Sequence, residues 1–184
     1  MARDRSALGR FYELYFERIH GYVRRMVGDE TLAEDVTQDV FVHLQRAIPT
    51  FDPARELSPW VFTIATNKVR DLWRSKRHQL DGRTASLDDD GADGRVREAV
   101  DGRPGPLPEL EADELRAALS AAVDALPAGL RAAFVLRWHE GLEFTDIGRI
   151  LERNEEAARK RYSRALAELR RILEDSARAA RRGA

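Results

Sequence analysis

The sequence predicts an all-α fold: two small helical domains joined by a flexible acidic linker, the second containing a helix-turn-helix. Three observations carry this. Apolar residues recur every three or four positions through most of the 184 residues, which is the period of an amphipathic helix, and no stretch alternates as a half-buried strand would. Residues 79–108 break that period with glycine, aspartate and proline, ending in Arg103-Pro104-Gly105-Pro106-Leu107-Pro108. Such a stretch buries too little apolar surface to offset its ordering entropy. Near the end of the chain, a short helix, a tight turn and a longer basic helix follow one another. The expected domains are therefore 1–78 and 109–184, with 79–108 between them.

Taken in order, Leu8, Phe11, Tyr12, Tyr15, Ile19, Tyr22, Val23 and Met26 mark a helix over 6–27, ended by Gly28-Asp29. Val36, Val40, Phe41, Leu44 and Ile48 mark a second over 31–48, stopped by Pro49. After a loop at Phe51-Asp52-Pro53, Ser58-Pro59 reads as an N-cap followed by proline at the first helical position. A third helix runs from there to about residue 78, with Val61, Ile64, Ala65, Val69 and Leu72 inward and Trp73 a core side chain. Beyond the linker, Leu115, Leu119, Ala122 and Val123 mark a helix closed by Leu126-Pro127. Leu130, Phe134 and Trp138 mark the next, ended at Gly141. A short one starts at Thr145, and Asn154 can cap a last, long one whose stripe is Ala158, Tyr162, Ala165, Leu166, Leu169, Ile172 and Leu173.

Composition excludes several classes of function. The chain has no cysteine, so disulfides and thiolate chemistry are out, and a reducing compartment fits. No run of about 20 apolar residues is present to insert in a membrane, and Met1 to Gly9 lacks the apolar stretch of a signal peptide. Enzyme signals are poor. Glu17 and His20 spell one E-x-x-H, half of a di-iron site, without a second copy. No phosphate-cradling glycine loop, H-E-x-x-H or G-x-S-x-G occurs. No catalytic residue, metal or cofactor is expected.

The formal net charge of −1 conceals a segregation. Residues 81–114 carry −7, which leaves +6 on the remainder; residues 68–77 and 153–171 carry +4 each. Near-neutrality is therefore compatible with a nucleic-acid partner, because distribution decides binding, not the total. It further suggests that the acidic linker screens the basic faces of the free chain and weakens its binding to DNA.

Three surfaces follow from the periodicities. In the last helix, Glu156, Lys160, Ser163 and Arg164 fall opposite the apolar stripe, with Arg159 and Arg161 on the flanks. In a helix-turn-helix these positions meet bases and phosphates in the major groove; a solvated bundle face is the bland alternative. In the third helix, Thr63, Thr66, Asn67, Arg70, Arg74 and Arg77 gather on one side, and Trp60 shares a face with Asn67. An aromatic ring beside an amide, followed by arginines, suits a splayed single-stranded base; a core tryptophan is equally compatible with the pattern. In the second helix, Glu34, Asp35, Gln38 and Asp39 form an acidic run, suited to a basic protein partner or simply to solvent near a helix start.

The stretch Asp35-Val36-Thr37-Gln38-Asp39-Val40-Phe41, the segment from Phe51-Asp52-Pro53 to Trp60-Val61-Phe62-Thr63-Ile64-Ala65-Thr66-Asn67, and residues 126–166 resemble bacterial RNA polymerase sigma factors. The layout is similar to the extracytoplasmic-function group of the sigma-70 family. That resemblance implies a cytoplasmic transcription initiation factor with no catalysis of its own. It implies core polymerase binding, through the β′ clamp helices, at Asp35, Gln38, Asp39 and Phe41. It implies −10 element contacts at Phe51, Trp60, Thr63, Asn67, Arg70, Arg74 and Arg77. The second domain would dock on the β flap and read the −35 element through Glu156, Arg159, Lys160, Arg161, Ser163 and Arg164. An anti-sigma factor is a further partner of many relatives. The chain departs from the family pattern at Asn154-Glu155-Glu156 and over Asp52 to Leu57, so promoter preference does not transfer. A stand-alone helix-turn-helix regulator is the alternative.

Overall fold

The computed structural model describes the backbone of residues 5–79 and 109–183, and the side chains of 8–75 and 115–178. All regular structure among them is helical: α1 (Arg5–Val27), α2 (Glu30–Ala47), a 3-10 turn (Ile48–Thr50), α3 (Leu57–Gln79), α4 (Glu109–Asp124), α5 (Ala128–Trp138), α6 (Phe144–Ile150) and α7 (Glu155–Gly183). The expected acidic linker lies outside the described residues, apart from Gln79 at the end of α3. No helix among them is long and apolar enough to cross a membrane.

The ends of the first helices follow local chemistry. Gly28 takes φ +73° after α1, a left-handed conformation that glycine adopts without a Cβ clash. Asp29 then caps α2, its carboxylate accepting from the Leu32 amide at 2.9 Å. Pro49 sits in the 3-10 turn that ends α2. The start of α3 differs from expectation. The helix begins at Leu57, two residues before the expected Pro59, so Ser58 is not its cap. The Ser58 hydroxyl bonds the Tyr15 hydroxyl at 2.9 Å instead, and Pro59 lies within the first turn, where its missing N–H has no intrahelical partner to lose. At α7 the expectation holds, with Asn154 Oδ1 accepting from the Ala157 amide at 2.8 Å.

α1, α2 and α3 pack on one another, as α4, α5 and α6 do around α7, with α4 touching only α7 among the main contacts. The first core holds Tyr15, Ile19, Tyr22, Val36, Val40, Leu44, Val61, Phe62, Val69 and Trp73, all buried. Burying each such side chain is worth ~1.5–3 kcal/mol. The second core joins Leu126, Leu136, Ile147 and Ile150 to the α7 stripe of Ala158, Tyr162, Ala165 and Leu169. Leu115, expected on the inner stripe of α4, is 44 % exposed. The two groups also meet, α3 against α6 and α1 against α5.

Two polar positions depart from the helical wheels read off the sequence. Thr66, assigned to the open face of α3, is fully buried. It lies four residues after Phe62 and three before Val69, and Phe62 belongs to the buried stripe. Its hydroxyl bonds that of Tyr22 at 2.8 Å. Burial in this apolar layer pushes the Tyr22 phenol up to about 12, against which the Thr66 hydrogen bond works. Arg161, assigned to the flank of the recognition helix, is 4 % exposed. It lies three residues after Ala158 and four before Ala165, both buried, and so belongs to the inner side of α7.

Candidate nucleic-acid interface

Phe51 leaves the 3-10 turn in extended conformation and packs its ring on Trp60 of α3, centroids 4.7 Å apart. Both rings are half-buried, so each keeps an accessible part. This resolves the two readings of Trp60: it is neither core nor free, but supported from behind by Phe51. Thr63 is half-buried, and its hydroxyl donates back to the Pro59 carbonyl at 2.7 Å. Asn67, one turn further, is exposed. Its Oδ1 accepts from Arg70 Nη1 at 2.9 Å, which fixes the orientation of the amide. Arg74 is exposed and pairs with Asp71 at 3.2 Å. The Arg77 side chain lies outside the described residues. The structure therefore brings Phe51, Trp60, Thr63, Asn67 and Arg70 onto one side of α3.

Arg70 is more engaged than its place in the sequence implied. Its guanidinium also donates to Glu152 at 2.8 Å and to the Ile150 carbonyl at 3.0 Å, both beyond the linker.

The α6–turn–α7 unit is tightly built. A Cβ at Gly148 would stand 3.0 Å from the Arg153 carbonyl oxygen and 3.0 Å from the Asn154 carbonyl carbon. Only glycine lets the turn backbone approach α6 so closely. The Arg153 amide donates to the Gly148 carbonyl at 2.8 Å. Glu152 carries the turn at φ +55°, a left-handed position that costs a non-glycine residue free energy. Thr145 of α6 donates to Glu155 at 2.9 Å, tying the two helices together. That bond, with help from Arg159, holds the Glu155 carboxyl below its ordinary value.

On the outer side of α7, Glu156, Arg159 and Lys160 are exposed, and Ser163 and Arg164 are half-exposed. Arg159 pairs with Glu155 at 2.8 Å and covers the Phe144 ring at 4.6 Å. Lys160 pairs with Glu156 at 2.7 Å, which lowers the Glu156 carboxyl and raises the Lys160 ammonium. These exposed i, i+4 pairs are weak and screened by salt. Phosphates can displace their carboxylates at small cost.

On α2, Glu34, Asp35, Gln38 and Asp39 are all exposed. Phe41 is half-buried among Phe11, Tyr12 and Phe16, its centroid 6.2, 4.7 and 6.1 Å from theirs. Next to the acidic face lies a small apolar groove lined by Leu8, Phe11, Tyr12, Phe41, Val42 and Ile48. Tyr12, Val42 and Ile48 stay substantially exposed. An apolar groove on the helix that also carries an exposed acidic run fits a basic amphipathic segment of another protein. Glu17 is exposed and His20 faces Glu30 at 3.5 Å. Among the described residues no group of His, Asp and Glu could hold a metal ion.

Four arginines join the two helical groups, and sequence periodicity singled out only Arg70. Arg18 of α1 holds Glu140, just past α5, through Nε and Nη2 at 2.8 Å each. Burial pushes the Glu140 carboxyl up, and Arg18 opposes that shift. Arg131 of α5 donates to the Leu126 carbonyl at 2.8 Å and to the Arg25 carbonyl at 2.5 Å. Arg25 reaches Asp124 at 3.6 Å.

Residues 11–79 match the family model Sigma-70 region 2, and residues 116–169 match Sigma-70, region 4. The chain is 31 % identical over 178 residues to the ECF RNA polymerase sigma factor BldN of Streptomyces coelicolor, spanning 64 % of that protein's length. It is 30 % identical over 176 residues to the ECF RNA polymerase sigma factor SigW of Bacillus subtilis, covering 94 % of this chain and 91 % of the relative. Its fold is similar to that of CnrH in complex with the cytosolic domain of CnrY, with a TM-score of 0.64 at 24 % identity over 95 % of this chain and 92 % of that one.

Proposed function

The chain belongs to the extracytoplasmic-function group of sigma-70 family sigma factors, and from that membership we propose that it binds core RNA polymerase and directs promoter recognition, DNA melting and transcription initiation. One observation carries the reading: both family regions match in order along one chain, with an exposed acidic face and a basic, aromatic-bearing face in the first. A stand-alone helix-turn-helix regulator has no use for the first match and is set aside.

The chain works as two reading units joined through residues 79–108. Asp35, Gln38 and Asp39, with Phe41 behind them, take the basic clamp helices of the polymerase β′ subunit. Trp60 on its Phe51 support is the stacking platform for a splayed −10 base. Asn67, held by Arg70, supplies a directed amide to the base edge. Arg70, Arg74 and Arg77 track the phosphates. The support for this part is the shared face of α3 and the exposed amide. In the second unit, which docks on the β flap, Glu156, Arg159, Lys160, Ser163 and Arg164 meet the −35 major groove. Arg161, being buried, positions α7 rather than touching bases. The chain contributes binding and strand separation, with no catalytic step of its own, and acts in the cytoplasm with polymerase. An anti-sigma factor that covers these faces is a fitting partner.

The test is reconstitution. The purified chain is mixed with core polymerase on a promoter library randomised at −35 and −10. Discrete transcription starts and a stable complex with core are expected. Failure to bind core together with the absence of directed starts refutes the reading.

A further inference from the structure

We propose that Glu156 and Lys160 act as one reading unit, their intact ion pair selecting a C·G base pair in the duplex that α7 faces. This deepens the reading of α7 as the −35-facing helix, on which it rests, by naming a base pair that the helix selects. Both residues lie in the first two turns of α7, on its exposed side. In a helix-turn-helix those turns meet the base edges of the major groove. Each side chain is 72 % exposed, and Lys160 Nζ stands 2.7 Å from Glu156 Oε1.

The neighbouring carboxylate is engaged elsewhere. Glu155 accepts from the Thr145 hydroxyl at 2.9 Å through one oxygen and from Arg159 at 2.8 Å through the other. The Arg159 guanidinium in turn covers the Phe144 ring. Thr145 and Phe144 belong to α6, so this cluster braces the start of α7 against α6. It sets the rotation of the first turn, and with it the direction in which Glu156 points. Asn154 secures the same turn from the other end through the Ala157 amide. Of the two acidic residues in that turn, one positions the helix and the other faces outward.

Selection follows from matched donors and acceptors. Across the major groove a C·G pair presents the cytosine N4 donor, then the guanine O6 and N7 acceptors. N4 and O6 are hydrogen-bonded to each other, which places them about 2.9 Å apart. A carboxylate and an ammonium 2.7 Å apart can lie along that edge together. Glu156 then accepts the N4 hydrogen that base pairing leaves free, and Lys160 donates to O6 and N7. Neither charge leaves its partner, so no unpaired charge is desolvated. The reversed pair, G·C, sets the carboxylate against O6 and the ammonium against the amino group. An A·T pair puts the adenine N7 lone pair beside the carboxylate and the thymine methyl beside the ammonium. The unit therefore favours C·G, in one orientation.

The experiment uses the full chain assembled with core polymerase, on templates with a fixed −10 element and a randomised −35 element. Sequencing of the transcripts against the templates gives the activity of each −35 sequence. For the parent chain, one position should favour C·G over G·C by about tenfold. The swapped pair Glu156→Lys/Lys160→Glu, with unchanged net charge, should invert the preference to G·C at that position alone. Glu156→Gln should move the same position from C towards A, because a glutamine amide pairs bidentately with adenine N6 and N7. As a single exposed substitution, it is the independent arm should the swapped helix fold poorly. An unchanged C·G preference in both variants overturns the proposal. A loss of activity spread evenly over every −35 sequence also overturns it, since that is the mark of a phosphate contact or a structural role. Core binding persists in either event, whereas failure of the functional reading abolishes it together with directed starts.

Discussion

Replacing Gly148 by alanine and Gly21 by alanine should shift stability in opposite directions. Both glycines lie inside helices, where alanine is intrinsically favoured by ~1 kcal/mol. At Gly21 a new Cβ meets nothing within 4 Å, so the full gain is expected. At Gly148 the Cβ meets three backbone atoms at 3.0, 3.0 and 3.1 Å. Backbone in a tight turn cannot swing aside as a side-chain tip can, and forced overpacking costs ~1–3 kcal/mol. Three backbone contacts at once place the cost in the upper part of that range, ~2–3 kcal/mol, so subtracting the propensity gain leaves a net loss of ~1–2 kcal/mol. For a chain of this size ~1 kcal/mol corresponds to ~2–4 °C in Tm. Thermal melts followed by far-UV circular dichroism should therefore show Gly21→Ala up by ~2–4 °C and Gly148→Ala down by ~3–6 °C. The Gly148 variant should also lose activity selectively on promoters that depend on a −35 element, because the turn it disturbs sets the angle between α6 and α7. Shifts of the same sign in the two variants would refute the reasoning.

Further outcomes follow from the buried and capping contacts. Tyr22→Phe leaves the buried Thr66 hydroxyl without its 2.8 Å partner and should cost ~1–2 kcal/mol in urea unfolding. The wild-type phenol ionises at about 12 in the fold against 10.0 when free, so the native state holds its proton more tightly. Stability should be intact below pH 10 and fall by up to ~3 kcal/mol as pH rises from 10 to 12. That component of the alkaline loss should be absent in Tyr22→Phe, and an identical pH profile for both proteins would count against it. Asn154→Ala removes the α7 cap and should lower stability by ~1 kcal/mol, with recovery in Asn154→Ser or Asn154→Asp. Asn67→Ala should impair promoter opening, measured by permanganate reactivity, at selected −10 sequences while leaving core binding unchanged. Equal loss of both would remove Asn67 from the base pocket.

The helices were legible because their signals are local. Apolar spacing, Gly28, Pro49 and the Asn154 cap each act within one or two turns, and the helices begin and end where these residues direct. The misplacements share one cause. Thr66 and Arg161 are polar residues within buried stripes, and residue polarity argued for the open face while their spacing to Phe62, Val69, Ala158 and Ala165 argued for the inner one. Spacing prevailed, because a helix packed on both sides turns every residue of that stripe inward, and the Thr66 hydroxyl there meets that of Tyr22. Ser58 failed as a cap for a similar reason: Tyr15, distant in sequence, took its hydroxyl.

By itself the sequence determined the all-α class, the family, the acidic and aromatic surface of α2 and the basic side of α7, since all of these are periodicities or motifs within one segment. Only the tertiary structure decided what meets across the chain. Arg18 finds Glu140, Arg131 finds the Arg25 carbonyl, and Arg70 finds Glu152 and Ile150. Each pair is separated by 80 residues or more, too far for any local pattern to encode. A long charged side chain also leaves the same mark in a sequence whether it faces water, a phosphate or a carboxylate of its own chain. The choice is made by which helix packs beside it, and that packing turns an apparently free arginine face into one already occupied.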